Sequence, residues 1–285
     1  MREFRRIGVV GAGQMGSGII EVMARNGLEV VAREVDAAAA EAGRSRVESS
    51  MGRAVERGKL DAETRDRALA AVTWTTELAD LAGCDLVVEA VVEDLALKHE
   101  IFAALDEVLD ADAVMATNTS SIPVIDVAMA TSRPEQVLGM HFFNPAPVMK
   151  LVELIATQRT DPAVFDAVRA FTTEVLGKRV VVAPDRSGFV VNALLVPYIT
   201  QAIAMYEAGH ASREDIDEGM VLGCGHPMGP LTLADMIGLD TCLAVAESLY
   251  EEYRERFLAP PPLLKRMVAA GHLGRKSGRG FYDYS

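Results

Sequence analysis

Short apolar runs alternate with longer amphipathic stretches through the first half of the chain. The predicted strands are residues 6–10, 29–34, 72–75, 85–90, 113–117 and 137–143. The stretches with helical spacing or helix-favouring composition are residues 15–26, 36–57 and 97–109. Strands that alternate with helices predict a mostly parallel sheet with helices on both faces, that is, a doubly wound α/β domain.

The pattern changes after the sixth run. Residues 148–156 and 179–183 are predicted to extend the sheet as two further strands, on either side of a helix at about 162–176. Beyond Gly188 the strand pattern fades, and the helical segments are interrupted by prolines at 227, 230 and 260–262. We therefore expect an α/β domain over residues 1–186 and a smaller all-helical domain over residues 187–285.

Composition and charge narrow the class of protein. The 285 residues are 50% hydrophobic and 24% charged, which is typical of a globular protein. The formal net charge of -13 argues against a nucleic-acid partner, because phosphate backbones require a dense basic face. The N-terminal residues predict neither a signal peptide nor a membrane span. Cys84, Cys224 and Cys242 show no metal-ligand spacing, so we expect buried thiols in a reducing cytoplasm and no metal site.

A glycine-rich segment joins the first predicted strand to the first helix. It contains Gly11, Ala12, Gly13, Gln14, Met15 and Gly16. In this context the first glycine permits a tight turn, the second admits a pyrophosphate and the third allows close helix packing. The segment predicts a Rossmann-type dinucleotide site, with a glycine turn that only shapes the fold as the alternative.

The second predicted strand ends at Glu34, close to the position where an acidic side chain meets the adenine ribose. A carboxylate accepts hydrogen bonds from ribose hydroxyls and repels a 2′-phosphate, which favours NAD over NADP. Arg33 leaves NADP possible if it turns outward, and a solvated acid at the end of a strand is the alternative for Glu34.

The segment 139–153 combines a strand, a proline-rich turn and a returning strand. Chain reversal at the turn brings His141 towards Glu153, and a carboxylate on one ring nitrogen fixes the tautomer and stabilises the imidazolium. We therefore predict His141 as a general acid/base. An isolated histidine among apolar residues is commonly structural, and that remains the default for His99, His210, His226 and His272.

A hydroxyl-rich segment, residues 116–121, follows the fifth predicted strand at the edge where open α/β sheets bind ligands. Its hydroxyls could reach nicotinamide and substrate, or cap a helix at 122–130. Asn192 lies at the start of the helical domain, and its type and position alone predict no role for it.

Six motifs occur in the order found in one enzyme family. They are residues 11–16, Asn118 to Ile122, His141 to Pro145, Ser187 to Asn192, His226 to Pro230 and Lys276 to Tyr282. With these motifs, the whole chain resembles the 3-hydroxyacyl-CoA dehydrogenases, and most closely their short 3-hydroxybutyryl-CoA members.

The resemblance implies roles for individual residues. His141 matches the catalytic histidine and Glu153 its paired carboxylate, while Ser120 and Asn192 match residues that contact the substrate near its 3-oxygen. The positions that match dinucleotide contacts are Glu34, Glu93, Lys98, Ser120, Asn144 and Lys276. The family usually has Asp at position 34. Ser50 matches a coenzyme A contact, and Arg53, Arg57 and Lys59 either meet its phosphates or form a solvated helix face.

The predicted function is hydride transfer between a nicotinamide cofactor and C3 of a short-chain 3-hydroxyacyl-CoA. Alternatives are a dehydrogenase of a free 3-hydroxy acid and a non-catalytic dinucleotide-binding protein. The apolar stretches 194–203 and 231–245 suggest an interface, so we expect a homodimer formed through the helical domain, with ordinary core packing as the alternative.

Overall fold

The computed structural model describes residues 2–284. It divides into two units, Met1–Asp185 and Arg186–Ser285. The strands all belong to the first unit: β1 (Arg6–Val10), β2 (Glu29–Arg33), β3 (Val72–Thr75), β4 (Leu86–Glu89), β5 (Val114–Thr117), β6 (Val137–Phe142), β7 (Leu151–Ala156) and β8 (Arg179–Pro184). Its helices are α1 (Gln14–Arg25), α2 (Ala37–Glu56), α3 (Ala62–Ala70), α4 (Leu95–Val108), α5 (Val124–Ala128) and α6 (Pro162–Ala170).

The strands form one sheet in the order β3-β2-β1-β4-β5-β6-β7-β8. All neighbouring pairs are parallel except β6 and β7, which run antiparallel. The order reverses direction between β1 and β4, and in open α/β sheets ligands bind at the carboxyl ends of the strands near such a point. The predicted doubly wound, mostly parallel fold is confirmed.

Apolar cores cover both faces of the sheet, and successive side chains of a strand point to opposite faces. Val88 of β4 joins the apolar core that contains Ile19 of α1, whereas Val87 joins the core that contains Phe102 of α4. The alternation explains why these strands are continuously apolar in sequence.

In the first unit, two predicted boundaries differ from the structure by three or more residues, and one helix differs altogether. Strand β7 begins at Leu151 rather than 148, because the backbone N–H groups of Val148 and Met149 donate to the Pro145 carbonyl in the preceding turn. The helix predicted to reach 176 is α-helical only to Ala170 and continues as a π-helical turn, Phe171–Val175. Helix α3 was not predicted at all.

The second unit is helical: α7 (Val191–Glu207), α8 (Arg213–Cys224), α9 (Pro230–Ile237), α10 (Leu239–Tyr253) and α11 (Pro262–Ala269). Its core includes Ile199, Leu231 and Leu264, so part of each long apolar stretch is ordinary interior. Cys84 and Cys242 are buried as expected, but Cys224 is exposed at the end of α8, so that expectation was wrong for one thiol. Within residues 2–284 we find no helix long and apolar enough to span a membrane.

Candidate active site

The glycine-rich loop after β1 has the geometry that a dinucleotide phosphate requires. Gly11 has a φ of +91°, and a Cβ there would lie 2.8 Å from the carbonyl oxygen of Ala90. A Cβ on Gly16 would lie 1.8 Å from the Gly11 carbonyl oxygen, so α1 can start this close to the loop only with glycine. The Cβ position of Gly13 faces open space, and the first turn of α1 carries no acidic residue. The loop and the helix N-terminus therefore fit a pyrophosphate.

Glu34 follows β2 and lies against this loop. Its Oε1 accepts a hydrogen bond from the backbone N–H of Ala12, and its Oε2 accepts one from that of Val35. Arg33 does not approach this carboxylate, since its Nε donates to the Thr76 carbonyl at 3.1 Å. The acidic group therefore stands at the edge of the loop, where it fits the adenine ribose of NAD.

His141 and Glu153 form a buried pair on neighbouring antiparallel strands. The register of β6 and β7 places the two residues directly opposite each other. The Nδ1 of His141 lies 2.8 Å from Oε2 of Glu153, and the residues are 6% and 0% exposed. A carboxylate at this distance from an imidazole fixes the ring and stabilises its protonated form. The pair lies at the carboxyl end of β6, where an acid/base group can serve a ligand of the sheet.

The loop after β5 is organised around Glu93. The Oε1 of Glu93 accepts hydrogen bonds from the Thr119 hydroxyl at 2.6 Å, the Ser120 N–H at 2.9 Å and the Ser121 N–H at 3.0 Å. Burial by itself would raise the pKa of Glu93, but Lys98 and these hydrogen bonds outweigh it and hold the pKa below its usual value. Glu93 is therefore a carboxylate that fixes the position of Ser120.

Capping of α5 itself does not explain the Ser120 hydroxyl, although the Thr119 hydroxyl accepts the Ile122 N–H at 2.9 Å in the turn before that helix. The two N–H groups that begin α5, on Val124 and Ile125, donate to the carboxylate of Asp185 at 2.7 and 2.8 Å. Asn118 links the loop to the histidine strand, because its Oδ1 accepts the N–H of Phe142 at 2.8 Å. The loop is thus attached to β6 one residue after His141.

Lys98 is buried and forms ion pairs with two carboxylates. Its Nζ lies 2.7 and 2.8 Å from the two carboxylate oxygens of Glu89 and 3.4 Å from Glu93. Glu89 also accepts the Thr117 hydroxyl and the Val91 N–H, both at 2.7 Å. These contacts join the ends of β4 and β5 to the first turns of α4.

Lys178 binds the backbone of the turn that carries Asn144. The Nζ of Lys178 donates to the carbonyl oxygens of Ala146 and Met149, each at 2.7 Å. Burial, followed by the nearby Arg25, lowers the pKa of this lysine. One ammonium group therefore fixes both sides of the turn between β6 and β7.

A cavity of about 520 Å³ lies between α1, α2 and this turn. Its lining includes Ser50 and Arg53 from α2 and Asn144 from the turn. Arg57 and Lys59, which follow Arg53 in the sequence, are exposed and do not line this cavity. Two arginines of its lining, Arg46 and Arg53, fit a polar ligand that carries negative charge near α2, although Glu21 of α1 also lines the cavity.

Two predicted site residues belong to the second unit. Asn192 lies in the first turn of α7. The Nζ of Lys276 lies 2.6 Å from the carboxylate of Asp240. Their roles towards a ligand of the first unit remain predictions.

Sequence reasoning missed Glu89 and Lys178, and it gave no role to Asn118, although Asn118 begins one of the six motifs. Each is a polar residue at the end of an apolar strand or in the short link before one. A polar side chain that is buried there requires a hydrogen-bond or ion-pair partner, and this signal could have identified them. Their partners are 9 to 32 residues away, so the local pattern did not reveal which groups they bind.

Comparison with known proteins assigns both parts of the chain to one family. Residues 6–186 match the model of the 3-hydroxyacyl-CoA dehydrogenase NAD-binding domain, and residues 188–284 match that of the 3-hydroxyacyl-CoA dehydrogenase C-terminal domain. A 3-hydroxybutyryl-CoA dehydrogenase of Mycobacterium tuberculosis is 58% identical over 281 residues, which is 98% of each chain.

Solved structures show the same similarity. The crystal structure of Mycobacterium tuberculosis FadB2 has a TM-score of 0.99 and 57% identity, with full coverage of both chains. The (S)-3-hydroxybutyryl-CoA dehydrogenase of Ralstonia eutropha has a TM-score of 0.94 and 46% identity, over 99% of this chain and 100% of that one. The chain therefore belongs to the 3-hydroxyacyl-CoA dehydrogenase family, and it is an oxidoreductase whose first unit is the NAD-binding domain.

Proposed function

We propose that this protein interconverts a short-chain 3-hydroxyacyl-CoA and its 3-keto form, namely 3-hydroxybutyryl-CoA and acetoacetyl-CoA, with His141 as general acid/base. The observation that carries the proposal is the 2.8 Å contact between His141 Nδ1 and Glu153 at the carboxyl end of β6. The same end of the sheet holds the glycine loop and Glu34, which fit NAD.

When bound, NAD supplies the hydride acceptor or donor for C3 of the substrate. His141 removes the 3-hydroxyl proton during oxidation and returns a proton to the 3-oxygen during reduction. Because Nδ1 faces Glu153, the exchange takes place at Nε2. Glu153 balances the positive charge that the ring carries in one half of the cycle, and a positioned acid/base contributes about 10²- to 10⁴-fold to the rate.

Ser120 and Asn192 are proposed to hold the 3-oxygen as charge develops on it. The hydrogen bond from the Ser120 N–H to Glu93 fixes the backbone that presents the serine hydroxyl. Donors that are fixed before the reaction stabilise the changing charge without having to reorganise.

The proposed substrate class rests on the cavity beside the turn and on the relatives' names. Ser50 and Arg53 line this cavity together with Asn144, so an acyl thioester that reached the nicotinamide past the turn would place its coenzyme A portion along α2. The two relatives named as 3-hydroxybutyryl-CoA dehydrogenases favour a four-carbon acyl group. Asn144, Lys98 and Lys276 are retained as proposed cofactor contacts.

The decisive experiment is steady-state reduction of acetoacetyl-CoA with NADH and with NADPH. We expect turnover with NADH, weaker use of NADPH because of the Glu34 carboxylate, and little activity on free acetoacetate. Preferential turnover of the free acid would favour the 3-hydroxy acid alternative, and absence of any nicotinamide oxidation would favour a binding protein.

The histidine assignment has its own test. His141→Ala should reduce kcat by at least about 10²-fold while NAD⁺ binding persists, because the glycine loop is unchanged. The matched control is His210→Ala, which alters an exposed histidine of the second unit and should leave the rate unchanged. Equal rates for the wild type and the His141 variant would remove the assignment.

We also propose a homodimer formed through the second unit, in the cytoplasm. Leu194 on α7 and Leu222 on α8 are 73% and 75% exposed, so both leave apolar surface that a second copy of the chain can cover. The buried free thiols Cys84 and Cys242 are compatible with a reducing compartment. Light scattering should give the mass of two chains, and Leu194→Asp should reduce it to one; a monomeric wild type at micromolar concentration would contradict the dimer.

A further inference from the structure

Three charged residues at the ends of β4 and α4 form a group that takes no part in the proposed proton transfer. We call it the Glu89 cluster; it consists of Glu89, Lys98 and Glu93. Glu89 is 0% and Lys98 1% exposed, whereas the Glu93 side chain is 32% exposed. Two carboxylates and one ammonium group give the cluster a net charge of -1.

The charged forms of the cluster are fixed by donors. Glu89 accepts four hydrogen bonds, two from Lys98 and one each from Thr117 and Val91. Glu93 accepts hydrogen bonds from the loop 119–121 in addition to its contact with Lys98. Because one ammonium serves two ionised carboxylates, one negative charge remains uncompensated inside the cluster.

This charge lies at the edge of the sheet where the ligand binds. Glu89 is the last residue of β4 and Thr117 the last of β5, and β6 with His141 is the next strand. Glu93 also holds the Ser120 loop. The inference rests on the proposed function, since it takes the nicotinamide end of the dinucleotide to lie beside His141 and Ser120.

The two oxidation states of the cofactor differ in charge at this end. The nicotinamide ring is positively charged in NAD⁺ and neutral in NADH, so a fixed negative charge nearby stabilises the oxidised form selectively. We propose that Glu89 is a positioning residue that sets, through Lys98 and Glu93, the preference of the site for NAD⁺ relative to NADH.

Substitutions can change the net charge of the cluster stepwise. Glu89→Gln brings it to zero and is nearly isosteric: the amide oxygen can still accept from Lys98 and Val91, and the Thr117 hydroxyl can accept from the amide N–H. Lys98→Met brings the net charge to -2. The double variant restores the net charge of -1 but lacks the ion pair. It therefore separates the effect of the charge from the effect of the ion pair on the structure.

The measured quantity is the ratio of the dissociation constants of NAD⁺ and NADH for the full chain, obtained by calorimetry and by NADH fluorescence. Glu89→Gln should raise this ratio on the order of three- to tenfold, and Lys98→Met should lower it. The double variant should return to within about twofold of the wild type. Thr117→Val, which removes a hydrogen bond to Glu89 without changing the charge, should leave the ratio unchanged.

Two results would overturn the inference while leaving the proposed function intact. One is an unchanged ratio in Glu89→Gln with both cofactors still bound. The other is a double variant shifted as far as Glu89→Gln, which would show that the ion pair acts only structurally. If Glu89→Gln does not fold, Glu93→Gln makes the same charge change and should shift the ratio in the same direction. Failure of the wild type to bind either cofactor would instead defeat the proposed function and this inference together.

Discussion

Glu153 acts on His141 from a fixed position, because backbone pairing of β6 and β7 sets the distance between the two side chains. A buried carboxylate at 0% exposure has no bulk water to screen it, so its effect on the imidazolium is larger than that of a surface pair. The same burial means that its charge can be removed without opening the site to solvent. The two contributions of Glu153, orientation and charge, can therefore be separated by substitution.

Glu153→Gln should reduce kcat on the order of 10²-fold, because the amide oxygen can still accept from His141 Nδ1 but the charge that supports the imidazolium is lost. NAD⁺ affinity should not change, since the glycine loop is untouched. Steady-state kinetics together with calorimetry would measure both. A rate within threefold of the wild type would show that the charge is unimportant for the proton transfer.

The lowered pKa of Glu93 predicts how the stability of the fold changes at acid pH. A carboxyl group whose pKa is lowered on folding contributes stability above its unfolded value, here 4.5, and loses that contribution as the pH falls through its folded value. The difference in free energy of unfolding between the wild type and Glu93→Gln should therefore be constant from pH 7 to about pH 5 and decrease below pH 4.5. Urea unfolding followed by circular dichroism at several pH values tests this; a pH-independent difference would contradict it.

At the level of elements, the strands were predictable because a parallel sheet buried on both faces requires continuous apolar runs. Helix α3 was missed for the opposite reason. It buries only Ala68 among its nine residues, so it has almost no apolar periodicity. Its clearest local feature is Asp61, whose side chain accepts the Thr64 N–H at 2.8 Å as a helix N-cap.

The candidate site was predictable where its residues are close in sequence. His141 and Glu153 are 12 residues apart across one turn, so chain reversal suggested their contact. Lys178 acts on a turn about 30 residues earlier, and nothing in its local pattern identifies the carbonyl groups that it binds. Contacts of this kind depend on the order of strands in the sheet, which single-sequence periodicity does not determine.

The turn between β6 and β7 is held by one side chain, Lys178. Lys178→Met removes the ammonium and leaves the carbonyl groups of Ala146 and Met149 without this donor, which should destabilise the protein by about 2–4 kcal/mol. Arg179→Met, which alters the exposed neighbour, is the matched control and should change stability by less than about 0.5 kcal/mol. Equal urea midpoints for the two variants would show that the turn does not depend on this ammonium.

At the scale of the whole molecule, each unit has an apolar core of its own. The features that fit NAD most directly, the glycine loop and Glu34, lie in the first unit, as does Trp74, the single tryptophan of the chain. Trp74 is half-buried on β3 against the first core, so its fluorescence reports the unfolding of that unit. Far-ultraviolet circular dichroism reports the helices of both units.

These two signals should respond differently to ligand and to mutation. NAD⁺ at 100 times its dissociation constant should stabilise the first unit by about 2.7 kcal/mol and raise the urea midpoint of the Trp74 transition. Asp235→Ala removes the acceptor of the Phe281 and Tyr282 N–H groups, so it should lower a circular dichroism transition while leaving the Trp74 midpoint in place. If Asp235→Ala moved both transitions equally, the two units would unfold as one; if NAD⁺ left the Trp74 midpoint unchanged, cofactor binding by the first unit would be contradicted.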